Sequence, residues 1–515
     1  MNGAKALIDG LVAAGVEVCL ANPGTSEMHL VEAIDASTGM RPVLCLFEGV
    51  CTGAADGYGR MRGLPAATLL HLGAGLGNGI ANLHNARRAG TPILNLVGDH
   101  ARHHVAYDAP LTADIEGVAR PVSAWVRTAR TAEGLADDGV DAVHAALAPR
   151  PDPAGGVATL IVPADCAWGP GRPATVLALP ERFRPFSSAA VAEAAAALDD
   201  RSVLLLDGNA LTGAGLAAAG RIAARFGCRV FTTTFPARVE SGPGRFAADR
   251  LPYFPEQIIE TLAGTSTLLL AGAQPPVSFF AYQNLPSDLV PADCRVVRLN
   301  HRHEDGAGAL AALADAVAAP AWQPAGGGGV RPELPAGRLS ARTVAQALAA
   351  LAPDNCIVTS DSGGGGAAVV PMQRAVPHDW LHLTGGAIGQ AGPAAVGAAL
   401  ACPDRQVLAL IGDGGALYTH QYLWTAAREG LDIVTVIYSN RSYGILDTEY
   451  RRLGINEVGE RAASLFDLGR PDIDWVSLAA GFGVPGARAD SCESFAVALR
   501  EALARPGPSL IEAQV

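Results

Sequence analysis

The chain has 515 residues, enough for about three domains of ordinary size, so a single small binding module is excluded. Hydrophobic residues make up 49% of the sequence and charged residues only 17%, a composition that excludes a disordered chain. The formal net charge of −12 argues against a surface that binds nucleic acid or anionic membrane.

The nine cysteines are widely spaced, and none forms a CxxC pair or a Cys/His cluster at zinc-ligand spacing. Buried free thiols in a reducing compartment are therefore expected. Asp9 and Glu17 interrupt the apolar residues that a signal sequence would need, and no run is apolar for long enough to span a membrane. These features predict a soluble, cytoplasmic protein.

Short apolar runs that end in Gly, Asn or Asp alternate along the chain with helical stretches rich in Ala and Leu. Such strands, separated by helix-length segments, are typical of a parallel sheet that helices cover on both faces, so the predicted fold class is α/β. In chain order the predicted strands lie in VEVCLANPG, PVLCLFEG, AATLLHLGAG, PILNLVGDH and ATLIVPAD, then in SVLLLDGNA, CRVFTTTF, STLLLAGAQ and CRVVRLN, and finally in NCIVTSDSG, QVLALIGDGG, DIVTVIYSN and PSLIEAQV.

Two segments rich in Pro and Gly, 166–186 and 320–337, are predicted to be linkers. They divide the chain into three doubly wound domains at residues 1–165, 187–319 and 338–515. The first and third share an apolar strand that closes on Gly-Asp, as LNLVGDH and as LALIGDG. This similarity suggests two related domains on either side of a third.

Ligands of α/β sheets collect at the carboxyl ends of the strands, so polar residues just past an apolar strand are the first candidates for a site. Glu48 directly follows the run VLCLF. A buried carboxyl at this point would act as a proton donor or a strong hydrogen-bond partner. A glutamate that interacts with the dipole of the helix it begins is the alternative, and the local sequence leaves both open.

Asp413 ends one predicted strand, and Asn440 ends the next parallel strand 27 residues later, so their side chains should converge. Carboxylate and amide oxygens, together with the carbonyl of Ser442, suit a magnesium ion. Gly414 and Gly415 precede a helix, where backbone N–H groups can approach phosphate. Since Gly-Asp-Gly alone is a common turn, the prediction depends on the Asn440 partner.

Several motifs resemble those of thiamine diphosphate-dependent enzymes. GDG at 412–414 with residues 440–444 is similar to their cofactor signature, and LFEGVCTGAADGYGR at 46–60 is similar to the segment that carries their activating glutamate. ANPGTSEM at 21–28 and LLHLGAGLGNGIANLHNA at 69–86 resemble benzoylformate decarboxylase, whereas TGGAIGQAGPAAVGAAL at 384–400 resembles that enzyme and acetolactate synthase large subunits. The resemblance implies a pyrimidine-binding, a middle and a diphosphate-binding domain, in that order.

The resemblance also implies roles for individual residues. Glu48 would hydrogen-bond N1′ of the aminopyrimidine, Gly386 would offer its carbonyl to the 4′-amino group, and Ile388 would hold the cofactor bent. The residues that would bind magnesium are Asp413, Asn440 and the carbonyl of Ser442. The remaining predicted cofactor-binding positions are Gly414, Gly415, Tyr443 and Gly444.

Five further residues are candidate catalytic residues by the same resemblance. His71 matches a histidine that handles substrate protons, although a core histidine is the alternative. Thr25 and Ser26 would reach a substrate carboxylate, with helix capping as their alternative. His103 and His104, with the nearby His100, follow a Gly-Asp turn and are similar to a histidine pair in pyruvate decarboxylase-type enzymes, at a different spacing.

The predicted activity is that of a thiamine diphosphate- and Mg2+-dependent 2-oxoacid decarboxylase or carboligase. The alternatives are an acetolactate synthase that joins two pyruvate units, and a catalytically silent cofactor-binding or regulatory subunit. FAD is not predicted, because nothing diagnostic for flavin stands out in 187–319, and AGAQPPVSFFAY at 271–282 lacks the second active-site histidine of benzoylformate decarboxylase. The family places its sites between subunits, so a homo-oligomer, either a dimer or a dimer of dimers, is expected.

Overall fold

The structure is a computed structural model that describes residues 1–149, 156–323, 329–455 and 457–515. Three sheets with flanking helices follow one another along the chain, which confirms the predicted α/β class. Of the predicted linker 320–337, residues 324–328 lie outside the described residues, and the rest contains no helix or strand. The other predicted linker, 166–186, begins inside a short helix that ends at Trp168. From there to residue 187 the chain forms no helix or strand.

The first sheet has six parallel strands in the order β2-β1-β3-β4-β6-β5. Alternate side chains of β1 enter different cores, since Leu20 packs in one cluster and Cys19 in the other, as expected for a sheet covered on both faces. Its strands are β1 (Val18–Asn22), β2 (Arg41–Leu44), β3 (Ala66–Leu70), β4 (Ile93–Asp99), β5 (Trp125–Thr128) and β6 (Val157–Pro163), and its helices are α1 (Gly3–Ala13), α2 (Met28–Asp35), α3 (Glu48–Arg62), α4 (Leu72–Ala89), α5 (Ile115–Ala119), α6 (Leu135–Leu147) and α7 (Ala164–Trp168).

The second sheet has five parallel strands in the order β10-β8-β7-β11-β12. Its segment contains α8 (Ser188–Ala197), β7 (Val203–Leu206), α9 (Gly213–Phe226), β8 (Arg229–Thr232), β9 (Val239–Ser241), β10 (Asp249–Arg250), α10 (Pro255–Leu262), β11 (Thr267–Ala271), β12 (Arg295–Asn300) and α11 (Gly306–Ala316). Strand β9 leaves this sheet and joins the edge of the third, which ties the two units together.

The third sheet has the order β17-β18-β16-β15-β13-β14-β9 and is parallel except at its β9 edge, which is antiparallel to β14. Its strands are β13 (Cys356–Ser360), β14 (His378–His382), β15 (Val407–Gly412), β16 (Ile433–Ser439), β17 (Gly486–Ala489) and β18 (Ser509–Gln514). Its helices are α12 (Ala341–Leu351), α13 (Gly363–Gly366), α14 (Val369–Ala375), α15 (Ala391–Ala401), α16 (Asp413–Ala416), α17 (Tyr422–Glu429), α18 (Gly444–Arg452), α19 (Glu460–Ala463), α20 (Trp475–Gly481) and α21 (Cys492–Ala504).

A buried ion pair on α3 connects the first unit to the third. Nη2 of Arg60 lies 2.6 Å from Oδ2 of Asp56, and neither side chain exposes more than 2% of its surface. Nη1 of Arg60 donates to the carbonyl of His382 at 2.6 Å, and Nε2 of Gln390 donates to Oδ2 of Asp56 at 2.6 Å. Because buried charges are costly unless they are fully paired, this network fixes how α3 sits against the third unit.

The nine cysteines are free thiols, seven of them buried, in agreement with the prediction from their spacing. No helix in the described ranges is long and apolar enough to cross a membrane.

Candidate active site

Glu48 begins α3, four residues after Leu44, the last residue of β2. Only 7% of its surface is exposed, and its Oε2 accepts a hydrogen bond from Nδ2 of Asn78 at 2.9 Å. The position in the first helical turn also favours a negative charge, since the helix dipole is positive there. Glu48 therefore begins a helix and is also a buried carboxyl held by an amide, so the two interpretations of this residue are compatible.

His71 lies between β3 and α4, with its ring against the loop that follows β1. A Cβ on Gly24 would lie 2.2 Å from Nδ1 of His71, so this close approach requires glycine. The same Nδ1 lies 2.8 Å from Oε2 of Glu27 and 3.3 Å from Oγ of Ser26. Hydrogen bonding therefore fixes the His71 ring through one of its two nitrogens.

Glu27 is fully buried and collects several donors. Its Oε2 accepts the backbone N–H of Gly24 at 2.7 Å, and its Oε1 accepts the hydroxyl of Ser26 at 2.7 Å. A carboxylate accepts hydrogen bonds, so this contact suits the tautomer of His71 with its hydrogen on Nδ1, and Nε2 takes no part in it. Glu27 was not among the residues predicted from the sequence; its signal was an acidic residue three positions after Gly24, the spacing at which a side chain returns to a backbone N–H.

Thr25 and Ser26 form, with Glu27, a short 3-10 turn before α2. Neither side chain caps α2, whose N-cap residue is Glu27 and makes no side-chain cap bond, so the capping alternative does not hold. Ser26 instead joins the Glu27 and His71 network, whereas Thr25 is exposed.

His100, His103 and His104 lie in the loop after β4. The rings of His100 and His104 have centroids 5.4 Å apart, and His103 and His104 are exposed. Within the described part of the chain, no hydrogen bond joins any of the three to the His71 network. The structure thus leaves them outside that network, and a catalytic role for them stays a prediction.

Asp413 and Asn440 follow neighbouring strands, and the carboxylate of Asp413 reaches the turn that carries Asn440. Strands β15 and β16 pair in parallel up to Gly412 and Tyr438, and α17 forms the crossover between them. Oδ2 of Asp413 accepts the N–H of Arg441 at 2.6 Å, and Oδ1 of Asn440 accepts the N–H of Ser442 at 3.1 Å. All three predicted magnesium ligands therefore belong to two adjoining turns.

The electrostatics of Asp413 fit a bound cation. Burial raises the pKa of this carboxyl, although backbone N–H groups of Gly414 and Arg441 partly offset the effect. No ion pair with Asp413 occurs among the described side chains. Nor do the described ranges contain three or more His, Cys, Asp or Glu residues grouped to hold a metal, so a cation here would depend on this one carboxylate with amide and carbonyl oxygens.

The predicted diphosphate-binding residues also lie together. A Cβ on Gly414 would lie 2.3 Å from Cε1 of Tyr443, so the tyrosine ring covers this turn. A Cβ on Gly415 would lie 3.7 Å from Cβ of Ile388, and Gly444 begins α18. The turn after β15 thus contacts both the segment 440–444 and the loop that carries Ile388.

Gly386 has a φ of 79°, a left-handed conformation that favours glycine. A Cβ on it would lie 2.9 Å from Cζ of Phe279, which belongs to the segment that lacks the expected second histidine. Phe279 makes edge contacts with Phe280 and Phe235, with ring centroids 4.8 Å and 5.7 Å away. Aromatic rings, rather than an imidazole, therefore border the Gly386 loop on this side.

Comparisons with known proteins agree with these motifs. The thiamine pyrophosphate enzyme N-terminal TPP binding domain matches residues 1–118, and the C-terminal TPP binding domain matches residues 363–513. IlvX of Mycobacterium tuberculosis, provisionally named an acetolactate synthase large subunit, is 50% identical over 100% of this chain and 99% of its own length. Benzoylformate decarboxylase of Pseudomonas aeruginosa is 30% identical over 97% of this chain and 96% of its own.

Among solved structures, the thiamine diphosphate-dependent 4-hydroxybenzoylformate decarboxylase of Rhodococcus jostii aligns with a TM-score of 0.85 at 27% identity. The alignment covers 100% of this chain and 99% of that chain. Both ends of the chain thus match the two binding domains of one family, and its whole length matches proteins of that family. The chain therefore belongs to the thiamine pyrophosphate enzymes, in the group that contains acetolactate synthases and benzoylformate decarboxylases.

Proposed function

We propose that the chain is a magnesium-dependent decarboxylase of 2-oxoacids that resembles benzoylformate decarboxylase. The observation that carries this choice is the pairing of His71 with the buried Glu27, 2.8 Å apart. Release of an aldehyde after loss of CO2 requires a proton donor, and an imidazole with one nitrogen fixed and the other available suits that task.

Thiamine diphosphate, when bound, supplies the carbon nucleophile and the electron sink for decarboxylation. Glu48 would accept a hydrogen bond from the aminopyrimidine ring, with Asn78 orienting its carboxylate. Asp413, Asn440 and the carbonyl of Ser442 would hold magnesium, and backbone N–H groups of the following turn would face the diphosphate. Ser26 and Thr25, next to His71, would orient the substrate carboxylate.

An acetolactate synthase is the second candidate, and the 50% identity to IlvX over both full lengths favours it. A synthase would join two pyruvate-derived units, whereas a decarboxylase would protonate the first unit and release it as an aldehyde. The aromatic rings of Phe279 and Phe280 beside the Gly386 loop suit a bulky acyl group better than the methyl group of pyruvate.

Purified protein with thiamine diphosphate and magnesium should be given a panel of 2-oxoacids that ranges from pyruvate to benzoylformate. CO2 release and product identity are the measurements. Aldehyde from an aromatic 2-oxoacid is the expected result. Formation of acetolactate from pyruvate alone would instead support the function of an acetolactate synthase.

The same proposal includes the assembly. A homodimer, or a dimer of dimers, would place Glu48 of one subunit opposite Asp413 of another, and the protein would work in the cytoplasm. Sedimentation at micromolar concentration tests the oligomeric state, since a monomer with full activity would contradict the proposed dimer.

A further inference from the structure

The loop that carries Gly386 and Ile388 is held from outside by the first unit of the same chain. Oδ1 of Asn85 accepts the N–H of Ala387 at 3.2 Å, and Nδ2 of Asn85 donates to the carbonyl of Ala387 at 2.8 Å. One amide side chain thus bonds the two consecutive peptide groups that flank Ala387: the N–H belongs to the peptide that contains the Gly386 carbonyl, and the C=O belongs to the peptide that leads to Ile388.

Asn85 is well placed to act as a fixed anchor. It is fully buried on α4, and its own carbonyl accepts the hydroxyl of Thr384 at 2.6 Å. Its side chain also donates to Oδ1 of Asn82 at 3.2 Å. Because an amide must present its donor and acceptor on opposite atoms, the two bonds to Ala387 allow only one orientation of the side chain.

The other side of the loop is held by Asp361, at the end of β13. Its Oδ2 accepts the N–H groups of Gly389, Gln390 and Ala391 at 2.8, 3.0 and 3.1 Å. Thus the loop is fixed at its far end within the third unit, whereas Ala387 is fixed from the first unit. Among the side-chain hydrogen bonds of the described residues, those of Asn85 act on the two peptide groups between the two predicted cofactor-binding residues.

The helix that carries Asn85 also holds Glu48. Asn78 and Asn85 are seven residues apart on α4, which is about two turns, so they lie on one face about 10 Å apart. Asn78 donates to Glu48, and Asn85 bonds to Ala387. A single rigid element therefore sets both the activating carboxyl and the loop of one chain, which in the proposed dimer serve two different sites.

We infer that Asn85 is a positioning residue, which sets the direction of the Gly386 carbonyl and the position of the Ile388 side chain through the two peptide groups that flank Ala387. This inference rests on the proposed roles of Gly386 and Ile388 toward thiamine diphosphate. Displacement of such a loop by about 1 Å is enough to lower a rate by about a hundredfold, because the reacting groups lose alignment.

The test uses Asn85→Ala, Asn85→Asp and, as matched control, Asn95→Ala. Asn95 is equally buried and would lose two side-chain hydrogen bonds, to Thr68 and Thr159, where Asn85 would lose three, and no hydrogen bond joins it to the loop among the described residues. The measurements are the melting temperature and the exchange rate of the C2 proton of thiamine diphosphate at saturating cofactor and magnesium. Asn85→Ala should slow exchange by about tenfold or more, whereas Asn95→Ala should lower only the melting temperature.

Asn85→Asp adds a readout that simple destabilisation would not move. A buried aspartate has a raised pKa, and once protonated it again offers one donor and one acceptor to Ala387. Its exchange rate, divided by the wild-type rate at each pH, should therefore rise as the pH falls. A flat ratio, normal exchange in folded Asn85→Ala, or equal slowing in Asn95→Ala would overturn the inference. Absence of exchange in the wild-type protein would instead refute the proposed function itself.

Discussion

Oε2 of Glu27 and Nδ1 of His71 lie 2.8 Å apart, and the glutamate of this pair is completely buried. A carboxylate behind an imidazole fixes the ring orientation and its tautomer, and it stabilises the protonated ring when a proton arrives at Nε2. In the proposed function, the pair would make this histidine at the end of a strand a directed proton carrier.

Removal of Glu27 should therefore impair proton transfer and leave cofactor binding intact. We expect Glu27→Gln and His71→Ala each to slow decarboxylation by about tenfold to a hundredfold, because both lose the oriented imidazole. C2-proton exchange of bound thiamine diphosphate should stay normal in both. The matched control is Glu32→Gln, on the exposed face of α2, which should turn over normally.

Full turnover in both Glu27→Gln and His71→Ala would show that His71 has a structural role and is not the proton donor. Loss of C2 exchange in either would instead move the pair from substrate protonation to cofactor activation.

Glu48→Ala should abolish C2-proton exchange while thiamine diphosphate remains bound, since the proposed task of Glu48 is to control the aminopyrimidine ring and not to anchor the cofactor. Asn78→Ala should slow exchange less, because the carboxylate remains but loses the amide that holds it at 2.9 Å. Calorimetry measures binding, and NMR measures exchange. Wild-type exchange in Glu48→Ala would contradict the assignment.

Asp413→Ala should lose magnesium-dependent binding of thiamine diphosphate, because one amide and one carbonyl oxygen poorly neutralise a divalent cation. Burial raises the pKa of Asp413. Cofactor affinity should therefore weaken on acidification at a higher pH than an ordinary aspartate would give, since the metal needs the ionised form. The control is Asp447→Ala on α18, whose side chain is 41% exposed and pairs with Arg451. Unchanged affinity in Asp413→Ala would require a different metal site.

The apolar runs identified most of the parallel strands because a strand covered on both faces leaves few positions for polar residues. Strand β14 was missed for the opposite reason. It buries His378, Asp379 and His382, and Asp379 is compensated by Arg238 and Arg405 at 2.7 and 2.6 Å. Since those arginines lie far away in the sequence, no local pattern marks HDWLH as a core strand.

The residues of the candidate site also differ in whether a local sequence pattern predicts them. Asp413 and Asn440 could be paired from sequence because consecutive parallel strands place their carboxyl ends side by side. The pairing of Glu27 with His71, and that of Asn78 with Glu48, could not be predicted, because the two side chains of each pair come from separate elements and meet only in the folded chain, at 2.8 and 2.9 Å. Hydrophobic patterning thus predicts where the strands end, whereas the residues that orient the side chains at those ends are set by tertiary packing.

His378 should make stability depend on pH. Burial lowers its pKa to about 4, and its Nδ1 lies 2.6 Å from the carbonyl of Val376. The unfolded chain takes up this proton below about pH 6.5, so the free energy of unfolding should fall from there down to pH 4, by about 3 kcal/mol for this group.

His378→Asn keeps a donor for Val376 and removes the titration, so its urea midpoint should change less between neutral and acidic pH than that of the wild type. His301→Asn, at an exposed position, should retain the wild-type dependence. Identical pH profiles for His378→Asn and wild type would show that another group governs acid sensitivity.

The proposed assembly makes a quantitative prediction, because each site would take Glu48 from one subunit and Asp413 from its partner. Glu48→Ala and Asp413→Ala proteins should each be inactive. In a two-fold dimer, a mixed pair has one site with both intact residues and one with neither. Random exchange makes about half of the dimers mixed, so about a quarter of wild-type activity should return from two inactive parents. Subunit exchange can be followed with two affinity tags. If mixed dimers form and no activity returns, Glu48 and Asp413 serve a site within one chain.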